Sequence, residues 1–239
     1  RHATKFLAQE ALKRSSNPGI IVENSIWGKE ALENINLYFE TRGLQKQDGI
    51  IINRGEKQLE KAFSIMRANK YDSIIMVLNS QEAQRVVTYM GEKNVKLPVT
   101  SHWGMVGDSF FKANKVYLQN IDLRFIQTFS LVNNHKKEAL DLVKNYLQTY
   151  HQTSDKQINA LTGVVQAYDA VTLLAHAIEK AKSFDSSKVK ESLENIGNFD
   201  GVIKRYNKPF TKTGHDALNI KDFFMAKFDK DGNIAPIKE

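Results

Sequence analysis

Two tryptophans are the residues in this sequence best suited to gripping a small molecule. The chain has 239 residues and only two of this type, Trp27 and Trp103. Each follows directly on a run that reads as a β-strand. An indole offers a broad apolar face and one N–H donor, so a pair of them can wall an apolar or aromatic guest and fix one acceptor atom on it. Polar residues accompany them. Ser25 and Ser80 stand at expected helix N-termini, where free backbone amides favour a carbonyl or anionic oxygen. Ser101 and His102 precede Trp103, Asn79 follows an expected strand, and Gln127, a weaker addition, lies within another. The chemistry open to this set is non-covalent: stacking, hydrogen bonding and orientation of a guest.

Bond-making machinery is not legible. Gly104-Met105-Val106-Gly107 lacks the remaining glycine and the lysine of a phosphate loop, and no Gly-x-Ser-x-Gly elbow occurs. The six histidines have no metal-ligand spacing, and apart from His102 they read as surface or satisfied core residues. With no cysteine, a disulfide framework, a thiolate metal site and a cysteine nucleophile are excluded. Asp229-Lys230-Asp231-Gly232-Asn233 lacks the distal glutamate of a calcium loop and reads as a hairpin turn. No cofactor, no metal and no catalytic residue is expected.

Charge argues against a polyanion partner. The net charge is +7, but lysines and arginines alternate with acids, as in Glu56-Lys57 and Glu60-Lys61. Binding a nucleic acid wants a contiguous basic patch, so no nucleic acid is expected. Hydrophobic residues at 41% and charged residues at 26% fit a folded core. No unbroken apolar stretch approaches the roughly 18–20 residues of a membrane span, so no direct membrane insertion is expected.

The elements that must position these side chains follow from apolar periodicity. Helices are expected over 5–14, from Asn24 or Ser25 to 42, over 56–69 and over 80–93. Strands are expected over 19–23, 48–53, 73–78, 97–101 and 125–131. The runs Ile50-Ile51-Ile52 and Ile74 to Leu78 read as strands buried on both faces. Strand alternating with helix argues for a parallel sheet with helices on both faces, an α/β fold. In such a sheet ligands sit beyond the carboxyl ends of the strands. Both indoles are expected there, on neighbouring strands. Residues 135–150, 158–182 and 186–196 read as three helices with no sheet of their own. The helix from Gly163 to Lys182 is apolar on more than one face and is expected to pack between layers. Strand patterns return at 201–206 and 222–228.

At these residues the chain resembles type I periplasmic binding proteins, the class of branched-chain amino acid receptors. Asn24-Ser25-Ile26-Trp27-Gly28 looks like that class's aromatic-Gly turn, and Tyr71-Asp72-Ser73-Ile74-Ile75 its polar, Asp, apolar strand. Ala167-Tyr168-Asp169-Ala170-Val171, Phe199-Asp200-Gly201-Val202 and Phe228-Asp229-Lys230-Asp231-Gly232 are similar to its signature helix and closing segments. The resemblance implies two lobes that clamp a solute. Residues 1–130 and 220–239 would form the second lobe, and 131–219 the returning helical part of the first, whose opening segment is absent. Trp27 then stands where amino-acid-binding members place an aromatic residue, and Ser80 near another contact. Trp103 falls where those members often carry an acid for the ligand's ammonium group. Its absence removes a charge-assisted bond of about 1.5–3 kcal/mol and makes a hydrophobic or aromatic carboxylate or amide as good a candidate as an amino acid.

The resemblance further implies a non-enzymatic, periplasmic or otherwise extracytoplasmic receptor that hands a small molecule to the membrane permease of an ABC transporter. The alternative is the ligand-sensing domain of a membrane signalling receptor. The ligand-binding candidates are Ser25, Trp27, Asn79, Ser80, Ser101, His102, Trp103 and Gln127.

Overall fold

Side-chain alternation along the strands sorts the core into two layers. In the computed structural model, which describes residues 2–107 and 110–237, the first elements are α1 (His2–Leu12), β1 (Pro18–Glu23), α2 (Ile26–Glu40), β2 (Ile50–Ile52) and α3 (Glu60–Ala68). They are followed by β3 (Ser73–Val77), α4 (Ser80–Glu92), β4 (Val99–Ser101), α5 (Phe110–Leu118) and β5 (Leu123–Gln127). Ile20 and Val22 of β1, Ile75 and Val77 of β3 and Ile126 of β5 face Leu7, Ala31 and Ile35 of α1 and α2. Ile21, Ile74, Met76 and Phe125, on the opposite pleat, face Phe63, Val86 and Phe110 of α3, α4 and α5. The result is the expected α/β sheet with helices on both faces.

After β5 come α6 (Lys137–Thr149), α7 (Leu161–Ala181), α8 (Ser186–Glu194), β6 (Asn198–Asp200) and β7 (Arg205–Asn207), then β8 (Phe224–Phe228) and β9 (Ile234–Pro236). The large sheet runs in the order β2-β1-β3-β4-β5-β8-β9. Its first five strands are parallel, and β8 and β9 are antiparallel additions. The chain divides into two compact units, Arg1–Gln127 with Phe223–Glu239, and Thr128–Asp222. The outermost limits, residues 1 and 239, lie outside the described residues.

Within the first unit, Asp72 ties the entry of β3 to the entry of β1. Its carboxylate accepts the amides of Ser16 (3.0 Å) and Asn17 (3.1 Å) and the hydroxyl of Ser16. At the other end Asp229 organises the β8–β9 turn by accepting the amides of Asp231 (2.8 Å) and Asn233 (2.9 Å).

Several expectations are corrected. Helix α3 begins at Glu60 rather than 56, because residues 53–56 form a turn around Gly55, whose φ is +77°. That turn is closed by the Glu56 amide on the Asn53 carbonyl (3.0 Å). Ile51 is 45% exposed, not buried on both faces, because β2 is the edge strand. Strand β5 ends at Gln127 instead of 131. Residues 198–207 form the hairpin β6–β7 rather than one strand over 201–206. Helix α5 had no counterpart in the sequence reading.

The second unit is built on a buried carboxylate. Asp169, in the middle of α7, is 2% exposed. It accepts the Val202 amide (2.7 Å), the Ile203 amide (3.0 Å) and the Tyr206 hydroxyl (2.8 Å). This pins the β6–β7 hairpin to α7 over a small core of Phe129, Ala139, Val165 and Val202. The length and composition of α7 would suffice to cross a bilayer, but a carboxylate anchored to backbone amides at its centre is the feature of a packed helix. Its other face, with Tyr168, Val171 and Leu174, is exposed within this unit instead of lying between layers.

Candidate functional site

Strand order fixes where a crevice must open. The chain steps from β1 outward to β2 on one side, then returns to β3 on the other, so the connections leave the carboxyl ends of β1 and β3 in opposite directions. This 2-1-3-4-5 order is a topological switch point, where open α/β sheets hold ligands.

A buried acid marks that point. Glu23, the last residue of β1, has a side chain that is 0% exposed. One oxygen accepts the Asn79 side-chain amide (2.5 Å) and the Asn79 backbone amide (3.3 Å), tying β1 to the start of α4. The other accepts Nε of Arg54 at 2.9 Å. An unpaired carboxylate here would cost several kcal/mol or more. Arg54 itself is 74% exposed and stands just past β2. Its turn is fixed by the Gly55 amide on Glu82 Oε1 (3.2 Å), an acid in the first turn of α4.

The aromatic residues follow. Ser25 caps α2, its hydroxyl accepting the Gly28 amide at 3.1 Å. A Cβ on Gly28 would lie 2.0 Å from the Glu23 carbonyl oxygen, so only glycine lets α2 start this close to β1. That start places the Trp27 ring against Gly104, where a Cβ would come within 2.9 Å of the indole and 3.2 Å of the Leu78 carbonyl. The Trp27 ring meets His102 edge-on at 5.2 Å, and His102 lies 4.2 Å from Trp103. Trp103 then stacks on Phe223 at 5.9 Å and 13°. Both indoles are half-buried, and among the described residues neither indole N–H donates a hydrogen bond. The two strands that carry them are not neighbours as expected: β3 lies between β1 and β4, and the His102 imidazole spans the gap.

His102 is 5% exposed, and burial lowers its pKa from 6.5 to about 4, so it is neutral at pH 7. Its Nδ1 accepts the Gly104 amide at 3.3 Å, which leaves the proton on Nε2 as a donor. Among the other candidates, Asn79 and Ser80 are half-buried at the start of α4, and the Ser80 hydroxyl donates to the Gly107 carbonyl at 3.1 Å. Ser101 is fully buried, its hydroxyl 3.1 Å from the carbonyls of Met76 and His102, which makes it a brace between strand ends. Gln127 is fully buried at the end of β5, in register with Phe224.

The structure thus brings Ser25, Trp27, Asn79, Ser80, His102 and Trp103 to one edge of the sheet, and places Ser101 and Gln127 beneath its surface. Sequence reasoning counted residues 53–55 among the segments that follow strands but made no candidate of Arg54, and it missed Glu23 and Phe223. An acid closing the otherwise apolar run Gly19 to Val22 was the available signal for Glu23. What the edge can do is stack an apolar guest and donate hydrogen bonds to it. Among the described residues, no group of three or more histidines, aspartates or glutamates could hold a metal ion.

Comparison with known proteins agrees with this fold. A family model described as periplasmic binding protein matches residues 2–233. A type 1 periplasmic binding protein from Bordetella pertussis Tohama I superposes with a TM-score of 0.83 at 20% identity, over 98% of this chain and 65% of that one. A leucine-binding protein from Thermotoga maritima gives 0.76 at 16%, over 99% and 63%. A solute-binding protein of an ABC transporter from R. palustris, solved in complex with benzoate, gives 0.75 at 14%, over 98% and 61%. The chain therefore spans less than two thirds of the length of each of these three structures. No curated protein sequence matches.

Proposed function

The chain belongs to the periplasmic binding protein family, and from that premise we propose that its first unit is one lobe of an extracytoplasmic solute receptor serving the permease of an ABC transporter. In this reading the first unit is the second lobe of the family plan, and the second unit is the returning part of the first. The solute is a small molecule with an apolar body and a polar head: an amino acid, or a hydrophobic or aromatic carboxylate or amide. It lies on the carboxyl edge of β1, β3 and β4. Trp27 and Trp103 pack its apolar part. Ser25, Ser80 and His102 orient its polar part, with Asn79 holding the start of α4 and Ser101 and Gln127 supporting the edge from below. No bond is made or broken; binding shifts a conformational equilibrium that the permease reads.

One observation carries this reading: two half-buried indoles, bridged by a neutral histidine, occupy the switch point, and among the described residues their N–H donors have no partner. Such an apolar surface with a few convergent donors is the usual composition of a ligand site. Relatives of the same fold whose names cite leucine and benzoate agree with a solute of this size. The test is native mass spectrometry of the full-length gene product to identify the co-purified solute, then calorimetry with Trp27→Ala. The affinity should fall tenfold or more, about 1.4 kcal/mol or greater. An unchanged affinity overturns the assignment.

A further inference from the structure

We propose that Arg54 is the anion-recognising group of this crevice, and that the solute it selects carries a carboxylate. The inference rests on reading the crevice as a solute site and names the class of solute that site takes.

A guanidinium presents five N–H donors, and its end-on pair of terminal nitrogens matches a carboxylate in a bidentate manner. In Arg54 the Nε edge is occupied by Glu23 Oε1 at 2.9 Å. Among the described residues its terminal nitrogens have no hydrogen-bond partner, and the side chain is 74% exposed. The guanidinium is thus tethered at its inner edge and open at its outer one.

A surface ion pair made for stability would not be built this way. Exposed pairs return little, whereas Glu23 is fully buried and carries the full desolvation cost of a carboxylate. The arrangement makes sense as orientation. Glu23 is a positioning residue: it fixes Arg54 by one oxygen and the start of α4 by the other. The Arg54 turn is fixed independently through Gly55 and Glu82 at 3.2 Å. With the side chain tethered at Nε and its backbone turn held at Gly55, the arginine loses less freedom on binding than an untethered one, which is how a recognition arginine is pre-organised.

Location completes the case. Arg54 follows β2, Glu23 ends β1, and Asn79 follows β3, so the pair sits on the switch point itself. Trp27 rises from the same β1 turn four residues after Glu23.

The experiment measures affinities of the full-length gene product for benzoate, leucine and 4-methylpentanoate, each against its primary amide. At least one carboxylate should bind about tenfold or more tightly than its amide, as expected for a charge-assisted pair. Arg54→Gln should abolish that preference by weakening the carboxylate while leaving the amide within about threefold. Arg54→Lys, which keeps the charge but not the fork, should restore part of it. The amide bound by the same variant controls for folding. Three results each overturn the proposal: an intact preference in Arg54→Gln, amides bound by the unaltered protein as tightly as carboxylates, or no carboxylate bound at all. Tryptophan emission separates the two levels. Binding that leaves emission unchanged contradicts the solute-site reading, whereas an emission change with no dependence on Arg54 contradicts only the arginine.

Discussion

Acidification should destabilise the first unit through His102. The imidazole is 5% exposed between Trp27 and Trp103, and Nδ1 accepts the Gly104 amide. Protonation puts a charge among indoles and removes that acceptor. Burial lowers the folded pKa to about 4 from the ordinary 6.5. Between those values the unfolded chain holds a proton that the folded chain refuses, so stability rises with pH across that window. It is complete above about 6.5 and is lost as pH falls toward 4, levelling off below. At about 1.4 kcal/mol per unit, a gap of roughly two and a half units contributes about 3 kcal/mol. Carboxylates titrate in the same range, so the comparison is with His102→Gln, which cannot titrate. Both tryptophans lie in the first unit, so urea unfolding followed by indole emission reports that unit selectively. From pH 7 to pH 4 the stability difference between the unaltered protein and His102→Gln should shift by about 3 kcal/mol against the histidine. A difference that stays constant across this range would refute the argument that the imidazole is held neutral by burial.

Three further outcomes follow from packing and hydrogen bonds. Asp169→Ala orphans two backbone amides and the Tyr206 hydroxyl; it should cost about 3 kcal/mol or more, read as a lower urea midpoint for the second unit by far-UV circular dichroism. Gly104→Ala drives a methyl into the Trp27 ring, so solute affinity should fall several-fold, and adding Trp27→Phe should recover part of the loss; independent, additive effects in calorimetry would contradict that contact. Phe63→Ala empties a site that is 1% exposed on the α3 face of the sheet; it should lower unfolding free energy by about 3–5 kcal/mol while leaving solute affinity unchanged under native conditions.

Fold class was legible because strands buried on both faces, separated by amphipathic helices, leave few alternatives to a parallel sheet. Ile74 to Leu78 gave that signal clearly, and all five are fully buried. Local pattern misled where tertiary context decides. Ile51 sits in an apolar run, yet edge position exposes it, and residues 56–59 have helix-forming side chains, yet the turn at Gly55 delays α3. The indoles and His102 were conspicuous by rarity and by position after strands. Glu23 and Arg54 were not, because their significance lies in contacts across 31 and 56 residues of sequence. Phe223 stacks on Trp103 from the far end of the chain, a partner that no periodicity can announce.

The claim on which the account turns is that solute lies against the two indoles. Calorimetry and tryptophan emission on the same sample of the full-length gene product test it directly, because single substitutions of Trp27 and Trp103, the two tryptophans of these 239 residues, assign the signal to them. For a solute that binds, emission should change saturably with the same midpoint as the heat, and Trp27→Phe and Trp103→Phe should each remove part of the change. Measurable heat of binding with emission unaltered in both intensity and wavelength would contradict it.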